Sequence, residues 1–119
     1  SIKVLRVNLE HELFDKFIPT IKEQNQKFDI TIEGHTDDVP LSHTGFIKNN
    51  FELSSLRACR VLDYFKQLGF DEKTLTAIGY GETRPIAPNR DENGVAIPQN
   101  QAQNRRVVIK LTAEKKASL

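Results

Sequence analysis

The sequence lacks several features that would assign it to particular classes of protein. It contains one cysteine, so no disulfide can form within the chain. No apolar run approaches the roughly 20 residues that a membrane-spanning helix needs, and the residues given contain no pattern typical of a signal peptide. The chain also lacks an initiator methionine, and we therefore expect it to be part of a longer protein whose targeting segments lie elsewhere.

An excess of charge of either sign is also missing. The 17 Lys and Arg residues oppose 16 Asp and Glu residues, for a formal net charge of +1. Such a chain has no general attraction to nucleic acid or to an anionic membrane surface, so a ligand would have to be held by local geometry. With 119 residues, of which 38% are hydrophobic and 28% charged, the chain has the composition of one globular domain with its own core.

The hydrophobic pattern predicts alternating strands and helices. Strands are expected at about 2–9, 28–33, 74–79 and 105–111, and helices at about 19–26 and 49–68. We place Pro19 in the first turn of the first helix because proline is best tolerated there. The second helix begins at a capping pair, Asn49 and Glu52, and stops before Gly69. The polar stretch that contains Pro85, Pro88, Gly94 and Pro98 and leads to the last strand is interpreted as a loop.

The order of these elements, β-α-β-α-β-β, predicts an α/β fold of two layers with helices packed on a sheet. We find no internal repeat and no low-complexity linker. A single domain is therefore expected over residues 1–119, with its core at about 28–112. Cys59 lies in the second helix between Leu56 and Leu62 and is expected to be a small core residue.

The densest polar cluster, residues 34–38 with the sequence Gly-His-Thr-Asp-Asp, directly follows the second strand. Ligands of layered α/β domains tend to bind beyond the carboxyl ends of the strands. In the next helix, Asn50, Leu53 and Arg57 are spaced by three and four residues and share one face. If the intervening loop folds back, this face meets Asp37.

A carboxylate and a guanidinium at a fixed separation suit a zwitterion, such as the free amino-acid end of a side chain. Arg57 can bind a carboxylate through two parallel hydrogen bonds, while Asp37 can accept from an ammonium. The N-terminus of the helix adds positive potential for the anionic end. From spacing alone, a structural role is the stronger explanation: the two residues form a salt bridge or cap the loop. Asp38 is expected to matter much less, because adjacent loop residues seldom point the same way.

Four short motifs, in the same order, resemble the OmpA-like peptidoglycan-binding family. They are Gly34-His35-Thr36-Asp37, then Asn50 with Leu53-Ser54 and Arg57-Ala58, then Gly79-Tyr80-Gly81-Glu82 with Pro85, and finally Asn104-Arg105-Arg106-Val107. Other segments look most like the MotB branch, the flagellar stator subunits that anchor a membrane ion channel to the cell wall: Asp38-Val39-Pro40, Phe51-Glu52-Leu53-Ser54 and residues 84–89. The stretch 91–103 is longer than is usual in the family.

This resemblance implies a mixed four-stranded sheet with two or more helices. It also implies binding of the diaminopimelate of the peptidoglycan stem peptide, whose side chain ends in an ammonium and a carboxylate. In the family that end is held by the residues matching Asp37 and Arg57. The other site residues implied by the matches are Thr36, Asn50, Leu53 and Arg105. Arg105 and Arg106 should point to opposite sides of the last strand, with Arg105 at the site and Arg106 covering a surface.

The resemblance further implies a wall-anchoring module without catalysis, cofactor or metal. The parent would be a protein of the inner membrane with this domain in the periplasm, a homodimer with a channel-forming partner and no nucleic-acid ligand. Two alternatives stay open: a scaffold of the OmpA type that contacts only protein, and a metal hydrolase acting on peptidoglycan through His35 and Asp37. The second has metal-binding residue types at Asp38 and His43 as well, but the remaining histidine, His11, does not form a spaced partner cluster.

Overall fold

The chain forms four strands and three α-helices in the computed structural model, which describes residues 3–7, 11–42 and 45–113. In chain order they are β1 (Lys3–Val7), α1 (His11–Gln24), β2 (Phe28–His35), α2 (Asn50–Gln67), β3 (Leu75–Gly79), α3 (Pro98–Asn104) and β4 (Arg106–Ala113). A 3-10 turn, Glu72–Thr74, precedes β3. In this part of the chain, none of the helices combines the length and the apolar character of a membrane-spanning segment.

The four strands form one mixed sheet in the order β1-β4-β2-β3. Strand β4 is antiparallel to both β1 and β2, whereas β2 and β3 are parallel. In the parallel pair Gly34 lies opposite Gly79, so the segments that leave these two strands emerge at the same edge of the sheet. The predicted α/β fold with a mixed four-stranded sheet is confirmed.

The core lies between the sheet and the helices α1 and α2. Its buried side chains are Ile21, Ile30, Ile32, Ala58, Phe65, Phe70, Leu75, Val107, Ile109 and Leu111. Phe65 of α2 stacks on Phe70, with ring centroids 4.6 Å apart. Helix α2 ends as predicted before Gly69, whose φ of 88° lies in the left-handed region that favours glycine.

Helix α1 begins at His11, well before its predicted start, and contains Pro19 in its interior. An interior proline removes one backbone hydrogen bond of the helix and costs about 3 kcal/mol or more. Ile21 is nevertheless buried in the core and Ile18 packs against it. The prediction that the helix starts at Pro19 was wrong, because burial of this apolar face outweighs the local preference of proline.

Helix α3 occupies a stretch that the sequence predicted as loop. Its seven residues, PQNQAQN, show no apolar periodicity. Pro98 lies in the first turn, where the missing N–H would have no acceptor within the helix. Because of this helix, β4 begins at Arg106, and Arg105 becomes the C-cap of α3 instead of the first residue of the strand.

The inner face of α2 is formed by small and polar residues in its first half. The buried residues of the helix are Asn50, Ser54, Ala58 and Phe65. Cys59 is exposed, so the prediction that it belongs to the core was wrong. It follows Ala58 in the helix, and successive helical residues point about 100° apart because each turn contains about 3.6 residues.

Helix α2 approaches the sheet closely at the ends of the two parallel strands. A Cβ atom on Gly34 would overlap the backbone carbonyl of Ser54, and one on Gly79 would overlap Ser55. Only glycine leaves room for this contact. The close approach fixes the first turns of α2 over the edge where β2 and β3 end, which is the edge that carries the polar cluster.

Candidate functional site

The loop after β2 is tied to the turn after β3 and to α2. The backbone N–H of Thr36 donates to the carbonyl oxygen of Gly81 at 2.9 Å, and its hydroxyl donates to the carbonyl oxygen of Asp37 at 2.8 Å. Gly81 has a φ of 61°, which a glycine adopts without strain. The hydroxyl oxygen of Ser54 accepts from the N–H of Gly81 at 2.8 Å. Three chain segments therefore meet at this edge.

The N-terminus of α2 is held against the same loop. The side-chain oxygen of Asn49 accepts from the N–H of Glu52 at 2.9 Å, as the predicted cap requires. The buried amide nitrogen of Asn50 lies 3.3 Å from the carbonyl oxygen of Asp37 and 3.2 Å from that of Val39. It also lies 3.3 Å from a carboxylate oxygen of Glu82. Asn50 thus fixes the distance between the helix and the loop.

The carboxylate of Asp37 pairs with Arg105. Its Oδ2 accepts from Nη1 of Arg105 at 2.6 Å, and its Oδ1 accepts from the N–H of Val39 at 3.0 Å. The side chain of Asp37 is 11% exposed and that of Arg105 is 46% exposed. The structural salt bridge between Asp37 and Arg57, which the spacing favoured, is not formed; the cation that pairs with Asp37 is Arg105.

Arg57 is half-buried beside this ion pair. Burial lowers the pKa of its guanidinium, the charge of Asp37 opposes this, and the charges of Arg105 and Arg60 add to the lowering. Within the described part of the chain, the guanidinium forms no hydrogen bond and no ion pair. A cationic group with five donors and no bonded partner in these segments is suited to bind an anion.

The remaining predicted residues occupy different environments. Leu53 is partly exposed and lies between Asn50 and Arg57 along the helix. Arg106 is buried, and its guanidinium donates to the carbonyl oxygens of Asn104 at 3.2 Å and of Arg84 at 2.9 Å. The expectation that Arg106 covers a surface was wrong, whereas Arg105 lies on the side of Asp37.

His35 belongs to a separate network on the other face of the sheet. Its Nε2 lies 3.2 Å from a carboxylate oxygen of Glu33, whose other oxygen accepts from Lys110 at 2.7 Å. The ring stacks on Tyr80 with centroids 5.3 Å apart. Burial lowers the pKa of His35, and the hydrogen bond with Glu33 only partly opposes this shift.

The metal-hydrolase alternative does not have the geometry it requires. The imidazole of His35 contacts Glu33, whereas the carboxylate of Asp37 contacts Arg105. Residues 15–42 and 45–112, whose side chains are described, contain no group of three His, Cys, Asp or Glu side chains placed to hold a metal ion. His43 and the side chain of His11 lie outside these segments.

Two contacts between this edge and the segment that joins β3 to β4 were not predicted from the sequence. Gln101 and Arg90 both donate to the carboxylate of Asp38, at 3.0 Å and 2.7 Å. No hydrophobic period marks α3, and the one available signal was Pro98, since proline is common in the first turn of a helix.

A profile of the OmpA family matches residues 7–106, and the chain therefore belongs to the OmpA family. The predicted resemblance to that family and to its MotB branch is confirmed. Domains of this family are non-enzymatic modules, which confirms the prediction that the chain is not an enzyme.

Curated relatives come from several kinds of protein. Motility protein B of Helicobacter pylori strain J99 is 35% identical over 95 residues, which are 80% of this chain and 34% of that protein. The peptidoglycan-associated lipoprotein of Pseudomonas aeruginosa is 36% identical over 81 residues, 68% of this chain and 42% of that protein. Photosystem I P700 chlorophyll a apoprotein A2 of Gloeobacter violaceus is 41% identical over 85 residues, 71% of this chain and 9% of that protein. The chain thus spans less than half the length of these relatives.

Solved structures of MotB-like proteins share the fold. A MotB-like protein from Desulfovibrio vulgaris superposes with a TM-score of 0.77 at 33% identity, covering 95% of this chain and 76% of that chain. The periplasmic domain of Helicobacter pylori MotB gives a TM-score of 0.73 at 31% identity, covering 96% of this chain and 83% of that chain. The homologues of the MotB and lipoprotein type are envelope proteins with a periplasmic domain.

Proposed function

We propose that this chain is a noncovalent anchor that binds peptidoglycan through the diaminopimelate of its stem peptide. OmpA-like domains bind peptidoglycan, and one relative is named for its association with that polymer. The observation that carries the proposal is Arg57, a half-buried guanidinium beside Asp37 that has no hydrogen-bonded partner in the described segments. A free amino-acid end supplies both an anion for Arg57 and a cation for Asp37.

The two ends of the ligand would bind different groups. The carboxylate takes the bidentate donors of Arg57, assisted by the positive end of the α2 dipole. The ammonium donates to Asp37, whose carboxylate holds contacts to Arg105 and to Val39. An ionised carboxylate offers about four acceptor positions, so it has capacity for the ammonium without losing either contact.

The balance of charge at this edge favours a zwitterion over a simple ion. Asp37 and Glu82 supply two negative charges. The side-chain amide of Asn50 lies within hydrogen-bond distance of both residues, at the backbone carbonyl oxygen of Asp37 and at the carboxylate of Glu82. Arg57 and Arg105 supply two positive charges near Asp37. A ligand that carries one charge of each sign leaves this balance unchanged, whereas a lone cation or anion does not.

The other predicted residues shape the hollow. Thr36 and Asn50 hold the loop after β2 in place through hydrogen bonds to Asp37 and Val39. Leu53 contributes an apolar contact for the methylene groups of the ligand side chain. These residues would therefore set the position of the charged groups, and the charges would supply the recognition.

The parent protein would use this noncovalent binding to anchor a membrane complex to peptidoglycan. We propose that residues 1–119 are one domain in the C-terminal part of a protein of the inner membrane, exposed to the periplasm. The likeness to motility protein B and to MotB structures supports a flagellar stator, a homodimer with a channel-forming partner. The chain covers 34% of motility protein B, so most of such a parent lies beyond the sequence described.

Co-sedimentation with purified sacculi tests the proposal. The domain should pellet with the sacculi and release no soluble fragments. If it is instead a scaffold of the OmpA type that contacts only protein, it will stay in the supernatant at every concentration of sacculi. That result would overturn the proposed function.

A further inference from the structure

Two adjacent carboxylates at the site bind two different parts of the segment between β3 and β4. Asp37 pairs with Arg105, as described above. Asp38 accepts at Oδ1 from Nε2 of Gln101 at 3.0 Å and at Oδ2 from Nε of Arg90 at 2.7 Å. Both partners of Asp38 lie between the end of β3 and the start of β4.

Gln101 connects Asp38 to Arg105. Its side-chain amide donates to Asp38, and its backbone carbonyl accepts from the N–H of Arg105 at 3.1 Å. Since Arg105 binds Asp37, a closed ring of contacts runs through Asp37, Asp38, Gln101 and Arg105. Gln101 is only 6% exposed, so its amide depends on this partner for its hydrogen bond.

Helix α3 depends on side-chain contacts for its position. It has seven residues, and isolated helices shorter than about 12–15 residues are marginal in water. Asn104, which is fully buried, binds the preceding loop by accepting from the N–H of Ile86 at 2.8 Å and donating to Asn89 at 2.7 Å. Asp38 adds a contact of a different kind, because it joins α3 to the loop that carries Asp37.

The geometry points to Asp38 as a positioning residue of the binding site: it holds α3 so that Arg105 stays on Asp37 and Arg57 stays free for the ligand. If Arg105 moved away, Asp37 would be left with Arg57 as its neighbouring cation. A pair between those two residues would occupy both groups that a zwitterion needs. This inference rests on the proposed function.

The charge state of Asp38 agrees with this role. Partial burial on its own would raise the pKa of Asp38, but the hydrogen bonds from Gln101 and Arg90 outweigh it, and the pKa lies below its ordinary value. Asp38 is therefore ionised at neutral pH. Its carboxylate accepts one hydrogen bond from the charged guanidinium of Arg90 and one from the neutral amide of Gln101.

A double-mutant cycle on the domain tests the inference through sacculus binding. Asp38→Ala should weaken binding about tenfold, in contrast to the minor role that the sequence suggested, because without the contacts to Gln101 and Arg90 helix α3 no longer holds Arg105 on Asp37. In an Arg105→Ala background, the same change should alter binding less than about twofold, since Arg105 is then no longer there to be positioned. Asp63→Ala, at an exposed position of α2, is the control and should bind like wild type. Wild-type binding by Asp38→Ala, or equal losses in both backgrounds, would overturn the positioning role.

Hydrogen exchange separates a failure of this inference from a failure of the proposed function. The amide of Arg105 donates to Gln101, so its exchange in the ligand-free domain should accelerate about tenfold in Asp38→Ala. A wild-type domain that does not bind sacculi would contradict the proposed function alone. Unchanged exchange at Arg105 would contradict the positioning role whatever the binding result.

Discussion

Arg105 binds Asp37 across 68 positions of sequence, with Nη1 and Oδ2 2.6 Å apart. This ion pair orients the carboxylate of Asp37 and leaves Arg57 without a bonded partner in the described segments. A site arranged in this way needs little reorganisation when a ligand arrives, and preorganisation reduces the free-energy cost of binding. Asp37, which the sequence motifs place at the site together with Arg57, is therefore held in position by a third charged residue, Arg105.

The first prediction concerns Arg57. Arg57→Ala should weaken sacculus binding by more than about tenfold, because removing one partner of a desolvated charge pair costs about 2–5 kcal/mol. Arg57→Lys should restore only part of the binding, since lysine lacks the planar pair of donors. Co-sedimentation at several protein concentrations gives the affinities.

Arg60→Ala is the matched control for that experiment. Arg60 lies on the same helix, is exposed and carries the same charge. Its loss should leave binding within about twofold of wild type, because exposed charges contribute little. Equal losses in the two alanine variants would mean that the helix attracts sacculi by charge alone, and the specific role of Arg57 would be refuted.

The second prediction concerns the close contact between α2 and the sheet. Gly34→Ala places a Cβ against the backbone carbonyl of Ser54 and should lower the free energy of unfolding by about 3 kcal/mol, at the upper end for overpacking. Gly94→Ala is the control: Gly94 has a φ of 79° and open space around its Cβ position, so the cost should be about 1 kcal/mol. Urea denaturation of both variants measures the difference, and similar values would show that α2 can move away from the sheet freely.

Elements whose local sequence pattern is sufficient by itself were predicted correctly. The alternation of Ile30 and Ile32 marked β2, and the cap at Asn49 marked the start of α2. The start of α1 was predicted wrongly, because packing of Ile21 against the core overrides the usual position of proline. In these cases the prediction of an element was correct when the local preference of its residues agreed with its tertiary packing.

At the candidate site, too, features with a local sequence pattern were predicted and contacts between distant segments were not. The sequence predicted that the face of α2 with Asn50 and Arg57 lies against Asp37, and in the structure these residues are neighbours. The partner of Asp37 could not be deduced, because Arg105 reaches it from the end of a short helix, α3, that no apolar pattern reveals. Which side chains from distant segments form a pair depends on where short helices such as α3 place them, and the spacing of residues in the sequence does not show this.

The third prediction is a loss of stability in mild acid that depends on His35. Burial lowers its pKa below the ordinary value of 6.5, Arg106 and Lys110 add to this, and Glu33 opposes it. Between the lowered pKa and 6.5 the unfolded chain binds more protons than the folded chain, so stability falls as the pH drops below 6.5. His35→Gln removes this group, and its free energy of unfolding should therefore decrease less than that of wild type between about pH 7 and pH 5.

Urea denaturation across that pH range provides the comparison. Other carboxylates titrate in both proteins, so the difference between the two curves isolates the contribution of His35. If the free energy of unfolding falls more steeply with acid in His35→Gln than in wild type, the folded protein stabilises the protonated imidazole, which contradicts the effect of burial on its pKa.

The fourth prediction concerns the parent protein. One diaminopimelate end is a small ligand, so a single site should bind weakly, whereas two linked sites bind the wall firmly through their high effective concentration. A longer chain that includes the residues preceding Ser1 in the parent should therefore be at least dimeric in analytical ultracentrifugation. A monomeric longer chain that still holds sacculi tightly would count against the stator and favour a solitary wall-binding protein.

The most direct test of the central claim compares two muropeptides that differ by one carboxylate. Calorimetric titration with a muropeptide containing meso-diaminopimelate is set against the same muropeptide with lysine at that position, which keeps the ammonium and lacks the carboxylate. If Arg57 and Asp37 together recognise a zwitterion, the diaminopimelate form should bind at least about tenfold more tightly, and Arg57→Ala should remove that preference. Equal affinity of the wild-type domain for the two muropeptides would contradict the account.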